Sequence, residues 1–492
     1  MSRHMEYAFA LLCVSILVTS PLRAQELIWS NNYGGLYHEF GNACSQTEGG
    51  DLLMLGSTYS YGNGSFDIYL VKVDSLGNQI FGRTFGGEGT EYGYDITPTS
   101  DGGFVIVGST KSFGNGGRDV YLIKVDAFGD MLWSRTFGGT ADDEGRSVRE
   151  TSDGGFIICG GTYSWGAGYQ DVLIIRTDAL GNQVWLKTYG GAGGEAGAAV
   201  RPTGDGYIVI GSTGSFGEGY SSMYVVKTDA NGDSLWATTY GGARADYGYS
   251  VLTTRDGGLA LVGATTSYGA GSNDAYLIKT DPDGNIEWER TYGGGDDDRA
   301  CAVIETGSGD FILAGRTLSY SGNHDVYVVK ADPAGYQLWS RDYGGAEADY
   351  GENLIMADDN NYLLIGRSFS YSSGGSDIYL LKLQGDQTTG VGQLISQTLP
   401  SHFELAQNYP NPFNSSTTIH YSLTRRATVS VEIYNILGQR VREWEAESMP
   451  PGTYRLHWDG TGERGDEVGS GMYIYVMRAD ELVQSRKMVL LK

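Results

Sequence analysis

Two hydrophobic patterns alternate along most of the chain. Asp274–Thr280 is a near-continuous apolar run of β-forming residues, while Ile286–Tyr292 alternates apolar and polar positions, and Asp281-Pro-Asp-Gly-Asn between them is turn chemistry. The pair predicts a β-hairpin whose first strand is covered on both faces and whose second is an edge strand half in water. The same hairpin returns from Asp119 and from Asp171, which makes the chain a repeat protein.

The aromatic of the alternating strand recurs at Trp29, Phe81, Trp133, Trp185, Trp236, Trp288 and Trp339, in steps of 51 or 52 residues. Each is followed by an aromatic-Gly-Gly triplet, a further strand, an Asp-Gly-Gly type of turn, a strongly apolar strand and a Gly-rich loop. Each period therefore carries four short strands with turns too short for a helix. Seven such units predict an all-β fold, a seven-bladed β-propeller over residues 25–383. The array opens on a fourth strand near residue 26 and closes on a third strand, Asp377–Leu383, so the N-terminal strand is expected to complete the last blade and close the ring. An open solenoid or β-helix would need no such complementary ends.

Beyond Leu383 the repeat stops. Residues 384–399 read as a polar linker, and residues 400–492 show their own strands, such as Thr417–Ser422, Thr428–Tyr434 and Thr453–Trp458, spaced as in a small Ig-like sandwich. At the other end, residues 1–24 have a basic start, an apolar core from Ala8 to Val18 and a small residue at Ala24, the pattern of a cleaved secretory signal. No later stretch has the ~18 continuous apolar residues of a spanning helix.

Composition agrees with this punctuation: 76 glycines and 35 tyrosines against only 10 prolines in 492 residues, with the glycines at turn positions. A formal net charge of −25 argues against nucleic acid or an anionic membrane surface as partner. Cys44, Cys159 and Cys301 fall in three different repeats, which is no disulfide framework, and they read as small buried residues.

Candidate chemistry recurs with the repeat. Six residues after each triplet's aromatic stands an acid: Glu39, Glu91, Asp143, Glu195, Asp246, Asp298 and Asp349. The loop between second and third strands carries Tyr61, Phe113, Trp165, Phe216, Tyr268, Tyr320 and Tyr371, each preceded by serine. An aspartate then opens the third strand in six repeats, with Ser222 the exception. Both loops emerge on one face, where carboxylates and stacking rings would suit a multivalent glycan surface. Structure supplies the competing account, since acids capping Gly-rich loops and rings covering blade ends recur for packing reasons alone. Asp296, Asp297 and Asp298 form an irregular acidic cluster with His324 in the same repeat, and calcium is the cofactor that clustered oxygens would admit; no other cofactor is predicted. No metal-ligand histidine spacing, nucleophile elbow or nucleotide-binding loop is present. The Asp-x-x-Gly-x-x-x-Trp run is similar to the repeat of quinone-dependent dehydrogenase propellers, yet it is one residue shorter than that repeat.

One resemblance is specific. Asn408, Tyr409, Pro410, Asn411, Pro412, Phe413 and Asn414 spell NYPNPFN, and with Thr417-Thr-Ile, Ile433-Tyr-Asn-Ile-Leu-Gly-Gln, Trp458-Asp-Gly and Gly469-Ser-Gly-Met-Tyr-Ile-Tyr the segment resembles the C-terminal sorting domain of the bacterial type IX secretion system. The repeat region resembles bacterial secreted propellers with YGG and DGG repeats. The first resemblance implies export across the outer membrane, with the secretion machinery as a partner and release or surface attachment as the outcome. The expected function is a non-enzymatic extracellular binding or adhesion module taking a glycan or protein ligand. A secreted polysaccharide hydrolase or lyase is the alternative, and a structural surface protein the third reading.

Overall fold

A computed structural model describes residues 27–47, 49–372, 374–385, 393–396, 400, 402–414, 416–463 and 468–491. The signal sequence expected at residues 1–24 lies outside them. Every regular element among the described residues is a strand.

In the repeat region the described residues form seven sheets, each of four antiparallel strands. Blade one is Glu39–Gln46, Leu52–Thr58, Asp67–Val73 and Gln79–Phe85. The second and third strands are buried almost throughout, as their apolar runs require, whereas the fourth is mostly exposed and buries only Phe85 at its end, so the expected alternation does not appear in this strand's burial. Blade seven takes Asp349–Met356, Tyr362–Ser368 and Asp377–Leu383 from the end of the array and Leu27–Tyr33 from its start. That N-terminal strand pairs antiparallel with Asp377–Leu383, from Leu27 opposite Leu383 to Tyr33 opposite Ile378.

Apolar clusters lie between blades. One joins Cys44, Met54 and Val71 of blade one to Leu363, Ile365 and Ile378 of blade seven. Each first strand packs beside the first strand of the next blade, and the seventh packs beside the first. Seven first strands thus encircle a common space, and their residues decide what that space presents.

Every first strand is bulged after its third residue: Gly41 pairs with Gly56, yet the next pair is Ala43 with Leu55, so Asn42 is left over. The strand also begins at the recurring acid, as in Asp246–Thr253, where the sequence placed it in the preceding loop.

The C-terminal segment is an Ig-like sandwich of two four-stranded sheets. One orders Gln393–Ser396, Gly452–Trp458, Thr417–Leu423 and Glu404–Leu405; the other orders Arg440–Met449, Ala427–Asn435, Gly471–Ala479 and Leu482–Leu490. Trp444, Trp458, Tyr454 and Tyr475 are buried in its core. The linker expectation is corrected in one respect: Gln393–Ser396 is a strand paired with Gly452–Trp458, so part of that stretch belongs to the sandwich. Residues 386–392 and 397–399 of the linker lie outside the described residues.

Candidate functional site

The seven recurring acids and the seven loop aromatics do meet at one face, but they play opposite parts. Glu39, Glu91, Asp143, Glu195, Asp246, Asp298 and Asp349 are each at most 1 % exposed. Glu91 shows why. Its Oε2 accepts the Gly87 N–H at 2.9 Å, and its Oε1 accepts the Thr110 hydroxyl at 2.8 Å and the backbone N–H groups of Lys111 and Ser112 at 3.2 and 3.0 Å. Asp298 does the same with Gly294, Thr317 and Ser319. The expectation that these carboxylates face a ligand is therefore corrected. They sit under two loops and satisfy donors there, with Asp349 Oδ1 the one oxygen of the seven carboxylates that is buried without a partner among the described residues.

The aromatics above them are on the surface. Tyr61, Phe113, Trp165, Phe216, Tyr268, Tyr320 and Tyr371 range from 38 % exposed at Trp165 to 53 % at Tyr320. Six of them lean on a buried tyrosine of their own third strand, as Tyr61 does on Tyr69 at 5.4 Å and Tyr268 on Tyr276 at 5.8 Å between ring centroids. Trp165 is the exception, because Leu173 stands where the others have tyrosine, and its ring borders a cleft of about 330 Å³ with Asn115, Gln183 and Leu186.

The third-strand aspartates complete this layer. Asp119 is buried with one oxygen accepting the Asn115 N–H at 2.7 Å and the other, Oδ1, without a partner. Burial pushes its carboxyl above the ordinary 3.8, and Asp143 and Asp142 push it further. Asp67, Asp274 and Asp325 are raised in the same way, by burial first. A folded-state value above the unfolded one means that stability from these groups is full below pH 3.8 and is lost as pH rises through the raised value. Asp119→Asn is accordingly expected to raise the melting temperature at pH 7 and to leave it unchanged near pH 3, measured by scanning calorimetry. Asp101 and Asp256 have the opposite sign. Hydrogen bonds from Thr99 and Lys124, and from Thr254 and Lys279, outweigh burial and hold both at about 2, so their contribution is present above 3.8 and is lost only as pH falls towards that value.

The acidic cluster of the sixth blade does not converge on a cation. Asp297 is ion-paired with Arg299 at 3.2 Å and accepts from Asn273, Asp298 is consumed by its loops, and the Asp296 backbone N–H donates to Ser319. No group of three or more candidate metal ligands occurs among the described residues. Cys44 and Cys159 are buried, Cys301 is half-buried, and all three thiols are free; burial pushes those of Cys44 and Cys301 up to about 12.

What the repeat hides is the encircled space itself. Along each first strand the second, fourth, seventh and eighth residues are, almost everywhere, left partly or fully exposed while the others are buried. Nearest the loop face, the second residues are Phe40, Tyr92, Glu144, Ala196, Tyr247, Arg299 and Tyr350, seven positions with five residue types. Charged and aromatic groups touch around this mouth, both within a blade and between neighbouring blades. Arg146 lies over the Tyr94 ring at 4.3 Å, Arg118 over Tyr92 at 5.2 Å and Arg367 over Tyr350 at 4.4 Å. Glu144 is held by Arg146 at 2.6 Å and Arg118 at 3.3 Å. Glu352 sits among Arg367, Arg316 and Arg299, and burial still raises its carboxyl. On the third-blade side the mouth opens into a cleft of about 700 Å³ lined by Arg118, Glu144, Arg146, Gln170, Tyr249 and the edge-to-face pair Tyr163 and Tyr169, whose ring centroids are 5.2 Å apart. Tyr169 is 75 % exposed. No repeat signal marks these residues in the sequence, because it is their failure to repeat that distinguishes them.

In the C-terminal domain, Asn408 and Phe413 of the NYPNPFN motif are buried and Tyr409, Pro410, Asn411, Pro412 and Asn414 are exposed. The Asn408 backbone N–H donates to the Tyr475 hydroxyl at 2.9 Å, the Asn408 amide donates to Thr417 at 2.9 Å, and the Asn411 side chain accepts the Val489 N–H at 2.9 Å. The motif fastens the start of the domain to its last strands.

Residues 412–481 match the FlgD Ig-like domain family. A segment of 110 residues is 26 % identical to the regulatory protein FlaEY of Caulobacter vibrioides, covering 20 % of this chain and 12 % of that protein, so the chain spans about an eighth of that curated relative. Among solved structures, the chain is similar to PorZ, described as an essential bacterial surface component of the type IX secretion system of Porphyromonas gingivalis, at 12 % identity and TM-score 0.42 over 94 % of this chain and 60 % of PorZ. It is also similar to the β-propeller domain of the trilobed protease of Pyrococcus furiosus, at 9 % identity and TM-score 0.39 over 71 % of this chain and 94 % of that one.

Proposed function

We propose that this protein is an extracellular binding module whose propeller takes a glycan at the mouth of the encircled space on the loop face, in the cleft beside Tyr163 and Tyr169. The observation that carries this reading is the break in symmetry there: a scaffold that repeats its buried residues seven times changes its mouth residues from blade to blade. Exposed tyrosine faces offer stacking surface to a sugar ring, and Glu144, Gln170 and the arginines offer directed acceptors and donors to its hydroxyls. Trp165, over its own cleft, extends the surface outward along the same blade.

Export belongs to the same reading. The Ig-like domain serves as a type IX sorting domain, with the secretion machinery as partner and the cell exterior as destination. Its support is the NYPNPFN motif and the strand motifs that follow, of which the exposed Tyr409-Pro-Asn-Pro stretch is the part open to a partner.

The test is a glycan-array screen of the whole protein, followed by titration of any hit against Tyr169→Ala and Trp165→Ala. Tyr169→Ala is expected to weaken binding at least tenfold, the ~1.4 kcal/mol of one lost ring contact, and Trp165→Ala by less. Absence of binding across the array, or binding unchanged in Tyr169→Ala, would refute the site. New reducing ends during incubation would point to the hydrolase reading instead.

A further inference from the structure

The opposite end of the encircled space, beneath the turns that join first and second strands, holds a second cleft of about 950 Å³ that the loop-face reading does not use. Its charges can be paired off one by one. Lys72 meets Asp51 at 3.0 Å, Arg149 meets Asp95 at 2.5 Å and Asp358 meets Arg455 at 3.3 Å. Arg201 is what remains. Its guanidinium has no carboxylate partner among the described residues and donates only to its own Val200 carbonyl at 2.9 Å. Asp95 is turned towards the neighbouring strand, where one of its oxygens accepts from Arg149, from Ser147 at 2.9 Å and from the Val148 N–H at 3.1 Å, and it makes no ion pair with Arg201. Burial, and then Arg149 alongside, bring the Arg201 guanidinium down to about 9. An uncompensated arginine beside a second one, in a protein of net charge −25, is costly without an anion.

The ring at this level is divided. The seventh residues of the first strands are Arg149 and Arg201 on blades three and four but Leu252, Ile304 and Ile355 on blades five to seven, and all five are half-buried. One side offers a planar fork of donors and the other a hydrocarbon wall.

We propose that this cleft binds a carboxylate that carries an apolar chain, the carboxylate on Arg201 with Arg149 beside it and the chain against Ile355 and Met356. The arginine fork suits the two oxygens of a carboxylate, and the wall rewards each methylene it buries with roughly a fourfold gain in affinity. The site lies at the other end of the ring from the glycan cleft and stands or falls without it.

Calorimetric titration of the whole protein with octanoate, acetate and inorganic phosphate tests this, in wild type and in Arg201→Gln, Arg201→Lys and Ile355→Ser. Octanoate is expected to bind at least tenfold more tightly than acetate or phosphate. Arg201→Gln should weaken octanoate at least tenfold, Arg201→Lys should keep part of the affinity, and Ile355→Ser should narrow the gap between octanoate and acetate. Melting temperatures check that each variant is folded. No octanoate binding to wild type, equal binding by folded Arg201→Gln, or phosphate bound as tightly as octanoate would each overturn the proposal.

Discussion

Replacing Gly263 by alanine is expected to destabilise the fifth blade by about 3 kcal/mol or more, the upper range for a group forced into a packed interior. A Cβ built at this position would lie 1.7 Å from the Tyr247 carbonyl oxygen, a backbone atom of the neighbouring strand that has no rotamer to move into. The cause is the bulge. The extra residue in each first strand tips the carbonyl of its second residue over the second strand, and the residue opposite must be glycine. All seven blades obey this, with Gly56, Gly108, Gly160, Gly211, Gly263, Gly315 and Gly366 each meeting such a carbonyl at 1.7–2.0 Å. The glycine at the third position of the first strand is less constrained, because blade six carries Ala300 there. Gly197→Ala, whose nearest backbone contact would be 3.0 Å, is the matched control and is expected to cost no more than about 1 kcal/mol. Denaturant titration followed by tyrosine and tryptophan fluorescence reads both. Equal stability of the two variants would show that the bulge relaxes and that the glycine is dispensable.

The same bulge explains which parts of the molecule were legible beforehand. Anything that recurs was visible: the four strands per period, the third strand buried on both faces, and the N-terminal strand paired beside Asp377–Leu383 all followed from apolar runs at fixed spacing. Recurrence also misled. The seven acids stand out in the sequence because they repeat, and they repeat because each blade has the same two loops to satisfy, as Glu91 does for Gly87, Lys111 and Ser112. The mouth residues were invisible for the converse reason. Glu144, Arg146 and Tyr249 share no pattern, and only the packing of adjacent first strands brings them to one cleft. In the C-terminal domain the strand Arg440–Met449 was missed because Arg442 and Glu443 break its apolar run, although Trp444 is buried against the core. Gln393–Ser396 was missed because four residues carry too little periodicity to separate a strand from a linker.

Glu91→Ala is expected to cost about 3–5 kcal/mol, and it separates a structural acid from a ligand-binding one. Four donors converge on this carboxylate in a site closed to water; removing it strands the Gly87 N–H and the Thr110 hydroxyl, while the Lys111 and Ser112 N–H groups keep the Thr90 carbonyl and the Thr110 oxygen as second acceptors. An unsatisfied buried donor costs about 1–3 kcal/mol, so two such losses together with two weakened bonds account for the total. Glu91→Gln keeps an acceptor for Thr110, Lys111 and Ser112 but turns an amide donor towards the Gly87 N–H, so its loss should be intermediate. Phe113→Ala, on the exposed ring of the same loop, should cost less than about 1 kcal/mol because much of its surface is already in water. Equilibrium unfolding and ligand titration on the same three variants decide the matter. Loss of stability with Glu91→Ala, and ligand affinity unchanged in Glu91→Gln under folded conditions, is the signature of an acid that builds the blade junction. The reverse, a stable Glu91→Ala that no longer binds, would return the seven carboxylates to the ligand face and remove the reason for placing the site at the mouth.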